Sequence, residues 1–109
     1  MIKNIDYAKI TQLQNEVTYQ KGQVVSKTIT KSKLANISLF AFDKDEGLST
    51  HTSTGDALVV ILDGKALITI DGIEHELGKD DSILMPANIN HSLYAKEPFK
   101  MLLIISFGE

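Results

Sequence analysis

The chain has 109 residues, a hydrophobic share of 43%, a net charge of −3 and no cysteine. This length favours one domain with a substantial core, and the scattered charges, without a basic face, argue against nucleic acid as a partner. The lack of cysteine excludes disulfides and thiolate metal sites. No apolar run has the length of a signal-peptide core or a membrane span. We therefore predict a single cytoplasmic domain over residues 1–109 that binds neither nucleic acid nor membrane.

The first third of the chain predicts an N-terminal arm and two strands. Residues 1–23 have the weakest pattern, and the alternation of Val17 and Tyr19 with polar neighbours indicates an arm or an edge strand. The β-branched residues of segment 24–30 predict a strand that opens a barrel over residues 24–107. A second strand is expected over residues 34–42. One of its faces carries Ile37, Leu39 and Ala41, and the other carries Ser38, Phe40 and Phe42.

The stretch from His51 to Gly64, HTSTGDALVVILDG, predicts a polar loop followed by a buried strand. Its second half contains the apolar run LVVIL, which is typical of strands buried on both faces. Asp63-Gly64 and Asp71-Gly72 both suit two-residue type I′ hairpin turns. These two turns predict a meander of three strands, with the loop that follows His51 at its open end.

Three further strands are expected in the last third of the chain. Ile83–Met85 ends at Pro86, since proline cannot donate to a strand ladder and belongs at a strand end. A strand at Leu93–Tyr94 follows His91, and the apolar segment 99–107 closes the sheet. Recurrent turn signals without a long 3.6-residue pattern are typical of a β-sandwich or barrel, so an all-β fold is predicted.

The chain resembles the small single-domain cupins usually called cupin 2. The matching positions are His51, Gly64, Pro86 and His91. The family's motifs are G-x5-H-x-H-x3,4-E-x6-G and G-x5-P-x-G-x2-H-x3-N, and the resemblance extends over residues 47–95. It implies a double-stranded β-helix, an RmlC-like jelly-roll barrel with its site inside. Family members perform metal-assisted oxygenation, isomerisation or decarboxylation, or only bind a small molecule, so the fold alone does not choose an activity.

The four metal ligands of the family, three histidines and one glutamate, are only half present in this chain. His51 and His91 match the first and the last motif histidine, whereas Ser53 replaces the second histidine and Ala57 the glutamate. The other departures are Asp80 and Asn88 in place of glycine, and Ala95 in place of asparagine. By this resemblance His51 and His91 line the site and are the candidate metal ligands, with Fe, Mn, Ni or Zn as the ion.

For iron or manganese the third ligand would be a carboxylate, because a non-haem site for these ions uses at least two histidines and one carboxylate. Asp56 is the nearest one in sequence. In a regular strand Asp56 faces away from the side of residue 51, but a bulge at Gly55 would turn it inward. The alternative is a loop residue whose carboxylate accepts hydrogen bonds from backbone amides.

Other side chains are candidates for contact with a bound molecule. Ser53 is a poor metal ligand and a good hydrogen-bond donor to a substrate, and Tyr94 joins it in the predicted ligand-binding set with His51 and His91. Weaker candidates for the cavity wall are Met85, Met101 and Phe40, for which plain core positions are the alternative. His75 lies outside both motifs and is predicted to be structural.

Two functions from different classes remain open. The first is binding or sensing of a small molecule in a mostly apolar barrel, and the loss of two ligands at Ser53 and Ala57 favours it. The second is a metal-dependent cupin enzyme of the dioxygenase, isomerase or decarboxylase type, so catalysis stays an open question. The resemblance also predicts a homodimer in which the segment 17–29 covers an edge of the barrel.

Overall fold

A computed structural model of the protein describes residues 1–108. It contains a short 3-10 helix and eight strands, which confirms the predicted all-β jelly roll. The helix spans Leu13–Asn15, and the strands are β1 (Val24–Lys31), β2 (Ala35–Phe42), β3 (Gly47–His51), β4 (Asp56–Ile70), β5 (Ile73–Gly78), β6 (Ser82–Met85), β7 (His91–Tyr94) and β8 (Phe99–Ser106). Among the described residues, none belong to a helix that is long and apolar enough to cross a membrane.

The strands form a curled sheet in the order β1-β2-β8-β4-β7-β3, and β5 and β6 also pair with β4. All pairs are antiparallel. The first part of β4 pairs with β6 and β8, and its last part pairs with β5 and β7. The long strand β4 therefore belongs to both walls of the barrel. β8, predicted to close the sheet, lies in its interior between β2 and β4.

The predicted hairpin at Asp63-Gly64 is wrong, because β4 continues through it. The register against β8 shifts between Ile61 and Asp63, which marks a bulge where the strand passes from one wall to the other. The second turn is confirmed, since Asp71 and Gly72 have φ values of 50° and 79° and join Ile70 to Ile73. Two strands thus replace the predicted meander of three. A bulge and a type I′ turn use similar residues, so the dipeptide alone cannot separate them.

The core lies between the two walls and is filled by the inward faces of the strands. Phe42 and Phe99 stack with ring centroids 4.4 Å apart and are fully buried. The predicted alternation along β2 is confirmed, because Phe40 and Phe42 face this core while Leu39 and Ala41 pack in a second cluster on the opposite side of the strand. The core therefore occupies the closed part of the barrel and leaves the end near β3 and β7 for a cavity.

Residues 1–23 form an arm against the outer face of the sheet, with irregular backbone in place of the strand that Val17 and Tyr19 suggested. Val17 is buried there against Leu39 and Ala41. The Tyr19 hydroxyl donates to the Asp63 carboxylate. Two further polar contacts also hold the arm. The Lys100 ammonium donates to the Gln14 carbonyl, and the Lys3 amide donates to the Ile29 carbonyl. The arm thus covers apolar surface that does not belong to the barrel core.

Candidate functional site

Two histidines from different strands meet at the open end of the barrel. His51 ends β3 and His91 begins β7, and the two residues are cross-strand partners. Their Nε2 atoms are 3.1 Å apart, and the ring planes make an angle of 72°. His91 is buried, with 4% of its surface exposed, whereas His51 is exposed. The structure thus brings His51 and His91 together, as the motif positions predicted.

Backbone carbonyls fix the orientation of both imidazole rings. The His51 Nδ1 lies 2.7 Å from the Ser49 carbonyl oxygen, and the His91 Nδ1 lies 3.2 Å from the Ile89 carbonyl oxygen. A carbonyl oxygen only accepts, so each Nδ1 must carry the hydrogen and donate it. In the neutral rings both Nε2 atoms are therefore acceptors, and they lie 3.1 Å apart.

The environment of His91 favours its neutral form. Burial lowers the pKa of this imidazole, and the neighbouring His51 ring lowers it further. The hydrogen bond to the Ile89 carbonyl opposes the shift, since it stabilises the protonated ring. The buried member of the pair is thus an acceptor at the inner side of the site.

A cavity of about 260 Å³ opens behind the two rings. Its wall is apolar for the most part, and its polar groups lie at the histidine end. The lining residues are Leu48, His51, Thr52, Ser53, Ala57, Met85, His91, Leu93, Met101, Leu103 and Ile105. Apart from the imidazoles, no titratable side chain among residues 1–108 lines it. Such a cavity can surround an apolar body while a few polar atoms orient one end of it.

Most of the predicted site residues do reach this cavity. His51, Ser53 and His91 line it, and so do Met85 and Met101, whereas Phe40 is a core neighbour outside the lining. Ser53 Oγ accepts a hydrogen bond from the Gly55 amide at 3.2 Å, which leaves its own hydroxyl hydrogen available for donation. The wall supplied by Leu103 and Ile105 was missed, because finding it requires knowing that β8 lies beside β4.

Tyr94 does not belong to the cavity, contrary to the prediction. Its ring is 40% exposed, and its hydroxyl donates to Asp45 Oδ1 at 2.6 Å on the outer side of the sheet. That hydrogen bond raises the pKa of the phenol. Since side chains alternate along β7, His91 and Leu93 face inward and Tyr94 faces outward. The alternation counted from His91 would have excluded it from the sequence alone.

Asp56 does not turn inward either, and its carboxylate lies outside the cavity. Its Oδ1 accepts a hydrogen bond from the Ala87 amide at 2.8 Å, as in the alternative given above. Next to it the Asn88 amide donates to the Ser53 carbonyl at 2.7 Å. Gly55 is buried under the Ser106 carbonyl, where a Cβ would collide. Asp56 therefore ties together the two loops that carry the site and lies outside the cavity.

The backbone keeps the shape that the motif glycines require even where glycine is absent. Asp80 and Asn88, at two glycine positions, have φ values of 73° and 65°. Asp45 lies six residues before His51, where the first motif begins with glycine, and has a φ of 69°. Gly64, at the last glycine of that motif, has a φ of 75°. The departures at these positions thus preserve conformation, unlike those at the ligand positions.

The histidine pair fits part of a metal site. A separation of 3.1 Å between Nε2 atoms suits two ligands bonded to one ion at about 2.0–2.1 Å, and the Nδ1 bonds to carbonyls hold the rings as such ligands need. In the part of the chain that the structure describes, however, no three His, Cys, Asp or Glu side chains come together to hold a metal. Because Ser53 and Ala57 occupy the remaining motif positions, a resident ion held by three or four protein ligands does not fit.

The fold and the site define the class of protein. The family model described as "Cupin domain" matches residues 38–105, and the chain therefore belongs to the cupin family. It is similar to a conserved protein of unknown function from Streptococcus pyogenes, with 41% identity, a TM-score of 0.96 and coverage of 99% of this chain and 95% of that one. A cupin superfamily protein from Desulfitobacterium hafniense is 32% identical, with a TM-score of 0.95 and 99% coverage of both chains.

A third relative is longer than this chain. The cupin 2 conserved barrel domain protein from Leptotrichia buccalis is 38% identical with a TM-score of 0.84, and the match covers 85% of this chain and 45% of that one. No curated protein matches the chain. The comparisons therefore establish the family, and the activity has to be inferred from the site.

Proposed function

We propose that the protein binds a small molecule inside the barrel, with His51 and His91 at the polar end of the site. The observation that carries the proposal is the cavity of about 260 Å³, which combines an apolar wall with two imidazole Nε2 atoms at one end. Ser53 and Thr52 add hydroxyl groups at the same end. An apolar pocket with few, convergent polar groups is the usual form of a small-molecule site.

The three methionines of the chain provide the test. Met85 and Met101 line the cavity, and Met1 is fully exposed, so the 13C-labelled methyl of Met1 serves as an internal control. Titration with toluene, a small apolar probe, should shift the Met85 and Met101 methyl signals and leave Met1 in place. An Ala57→Leu variant, which fills the cavity, should weaken the shifts. Equal shifts at all three methyls would show surface binding and contradict the proposal.

A metal-dependent enzyme is the second candidate, and the 3.1 Å separation of the two Nε2 atoms favours it. His51 and His91 would hold the ion, which would act as a Lewis acid on a bound oxygen atom. Two protein ligands leave most of the coordination shell to water or substrate, so we expect weak, substoichiometric Fe, Mn, Ni or Zn after dialysis.

Restoring the missing ligands tests this second candidate. The double variant Ser53→His, Ala57→Glu should bind close to one ion per chain, because both positions line the cavity with His51 and His91. Adding His91→Ala should abolish the gain. Elemental analysis of the purified proteins, made without a histidine tag, decides the matter. Full occupancy of the unmodified chain would favour the metal enzyme over the binding protein.

We also propose that the protein is a cytoplasmic homodimer. The absence of cysteine supports the compartment. The dimer is supported by exposed apolar side chains on the strands and turns, such as Leu84 and Leu34. β1 is moreover an edge strand whose outer side is bonded by the arm at Thr28 and Ile29, and edge strands invite pairing with a second chain.

A further inference from the structure

At the polar end of the cavity, neither imidazole Nε2 accepts a hydrogen bond from a hydroxyl or an amide of residues 1–108, and of the two rings His91 is buried and His51 exposed. Both Nδ1 hydrogens are bonded to backbone carbonyls, so in the neutral rings the Nε2 atoms of His51 and His91 are both acceptors. Two acceptors cannot satisfy each other across 3.1 Å. Since an unpaired buried polar atom is unfavourable, the pair calls for a donor from a bound molecule.

The charge of that molecule follows from the lining. Within the described range 1–108, no Asp, Glu, Lys or Arg side chain lines the cavity. A phosphate, a carboxylate or an ammonium ion would therefore lose its hydration without gaining a counter-charge. A neutral hydroxyl avoids this cost, because it donates to an imidazole Nε2 and accepts from the Ser53 or Thr52 hydroxyl at the same end of the cavity.

The remaining wall indicates the body of the ligand. Leu93, Leu103 and Ile105 supply an aliphatic surface, and Met85 and Met101 supply sulfur atoms that pack favourably against aromatic rings. We infer that the site selects a neutral molecule made of one small apolar body, such as a single ring, and one hydroxyl group that donates to the histidine pair. This inference rests on the proposed small-molecule function and adds the chemical class of the ligand.

Three probes of one shape test the class of the head group. Toluene has no head group, p-cresol adds a hydroxyl that stays neutral at pH 8, and p-toluate adds a carboxylate. Their dissociation constants are measured from the Met85 and Met101 methyl signals at pH 8, on protein treated with a chelator. We expect p-cresol to bind about ten-fold more tightly than toluene, as one net hydrogen bond implies, and p-toluate to bind more weakly than p-cresol.

Variants locate the source of the preference. The double variant His51→Phe, His91→Phe keeps two rings and removes both Nε2 acceptors, so the ratio of toluene to p-cresol dissociation constants should fall towards one. His75→Phe is the matched control, because His75 lies on β5 opposite Ile68 and outside the cavity lining, and it should keep the ratio. A ratio unchanged in the double variant would overturn the inference, as would tightest binding of p-toluate.

The outcomes distinguish a failure of the hydroxyl preference from a failure of the proposed small-molecule binding. If toluene binds in the cavity and p-cresol has no advantage, the small-molecule function stands and the hydroxyl preference is wrong. If no probe shifts the Met85 and Met101 signals, both are wrong. If the preference appears in the unmodified protein and is lost when both imidazoles are replaced, the ligand class is supported.

Discussion

Asp45, Asp80 and Asn88 adopt left-handed backbone conformations at positions where the cupin motifs have glycine. Asp and Asn tolerate this conformation better than other residues with a Cβ, because their short polar side chains bond locally. The motif departures in this chain are therefore of two kinds. At the glycine positions the chemistry of the side chain changes and the backbone does not, whereas at Ser53 and Ala57 the metal-ligating groups themselves are lost.

Asn88 allows a direct test of the backbone requirement. We expect Asn88→Ala to lower the free energy of unfolding by about 1 kcal/mol, because alanine is strained at a φ of 65°. Asn88→Gly should cause no loss, since glycine adopts this conformation freely. Asn90→Ala, on an exposed neighbour, is the control and should change stability by less than about 0.5 kcal/mol. Urea denaturation measures all three, and equal losses in Asn88→Ala and Asn88→Gly would contradict the argument.

His91 should make stability depend on pH. Because its pKa is lower in the folded protein than in the unfolded chain, the unfolded chain binds a proton more readily. Stability is therefore fully present above the unfolded pKa of about 6.5 and declines as the pH falls below it. His51 is the titratable group that faces it. Urea midpoints at pH 8, 7, 6 and 5 should fall more steeply for the unmodified protein than for His91→Gln, while His75→Gln keeps the unmodified slope.

At the level of strands, local sequence patterns predicted where most strands lie, but not which strands pair with each other. β1, β2, β6 and β8 were expected close to their observed bounds, because alternation and β-branched residues are local signals. The bulge in β4 escaped prediction, since it depends on pairing with β8 more than 30 residues away. The same holds for the site, where the motif histidines predicted that His51 and His91 lie together. Finding the cavity wall supplied by β8 requires knowledge of the strand pairing. Finding that Tyr94 points outward requires the alternation of side chains along β7.

Gly64 is the residue on which the bend of β4 depends. It has a φ of 75°, and a Cβ there would collide with the Pro98 carbonyl oxygen. Gly64→Val should therefore reduce the free energy of unfolding by roughly 1–3 kcal/mol. Gly108→Val is the matched control, because a Cβ at Gly108 meets no atom within 4 Å. Thermal unfolding of the two variants at the same midpoint would show that the bend tolerates a side chain.

At the scale of the whole molecule, the apolar side chains form two clusters on opposite faces of the sheet. One fills the barrel, and the other lies under the N-terminal arm, where Val17, Ile29, Leu39 and Ala41 are buried. Beyond the arm, Leu34 and Leu84 remain more than half exposed. Exposed apolar groups near sheet edges are typical of surfaces that a second subunit covers.

We therefore expect light scattering at micromolar concentration to give twice the chain mass of 12.0 kDa. In the dimer that we predict, residues 17–29 lie at the interface and cover an edge of the barrel. Leu84 is one of the exposed apolar side chains that support the dimer, so the charge introduced by Leu84→Lys should shift the protein towards the monomer. A monomer of 12.0 kDa for the unmodified chain would contradict the dimer itself.

The interior position of β8 has a consequence for the life of the chain before it is folded. Both edges of β8 are paired along their length, one with β2 and one with β4. Because β8 follows β2 and β4 in the chain, both of those strands leave the ribosome before the strand that joins them. During that interval both present open edges and apolar faces to other molecules, which is when β-rich chains aggregate. The synthesis of β8 therefore covers both edges at once, and termination before Phe99 would leave two open strand edges, prone to aggregation, in place of one continuous sheet.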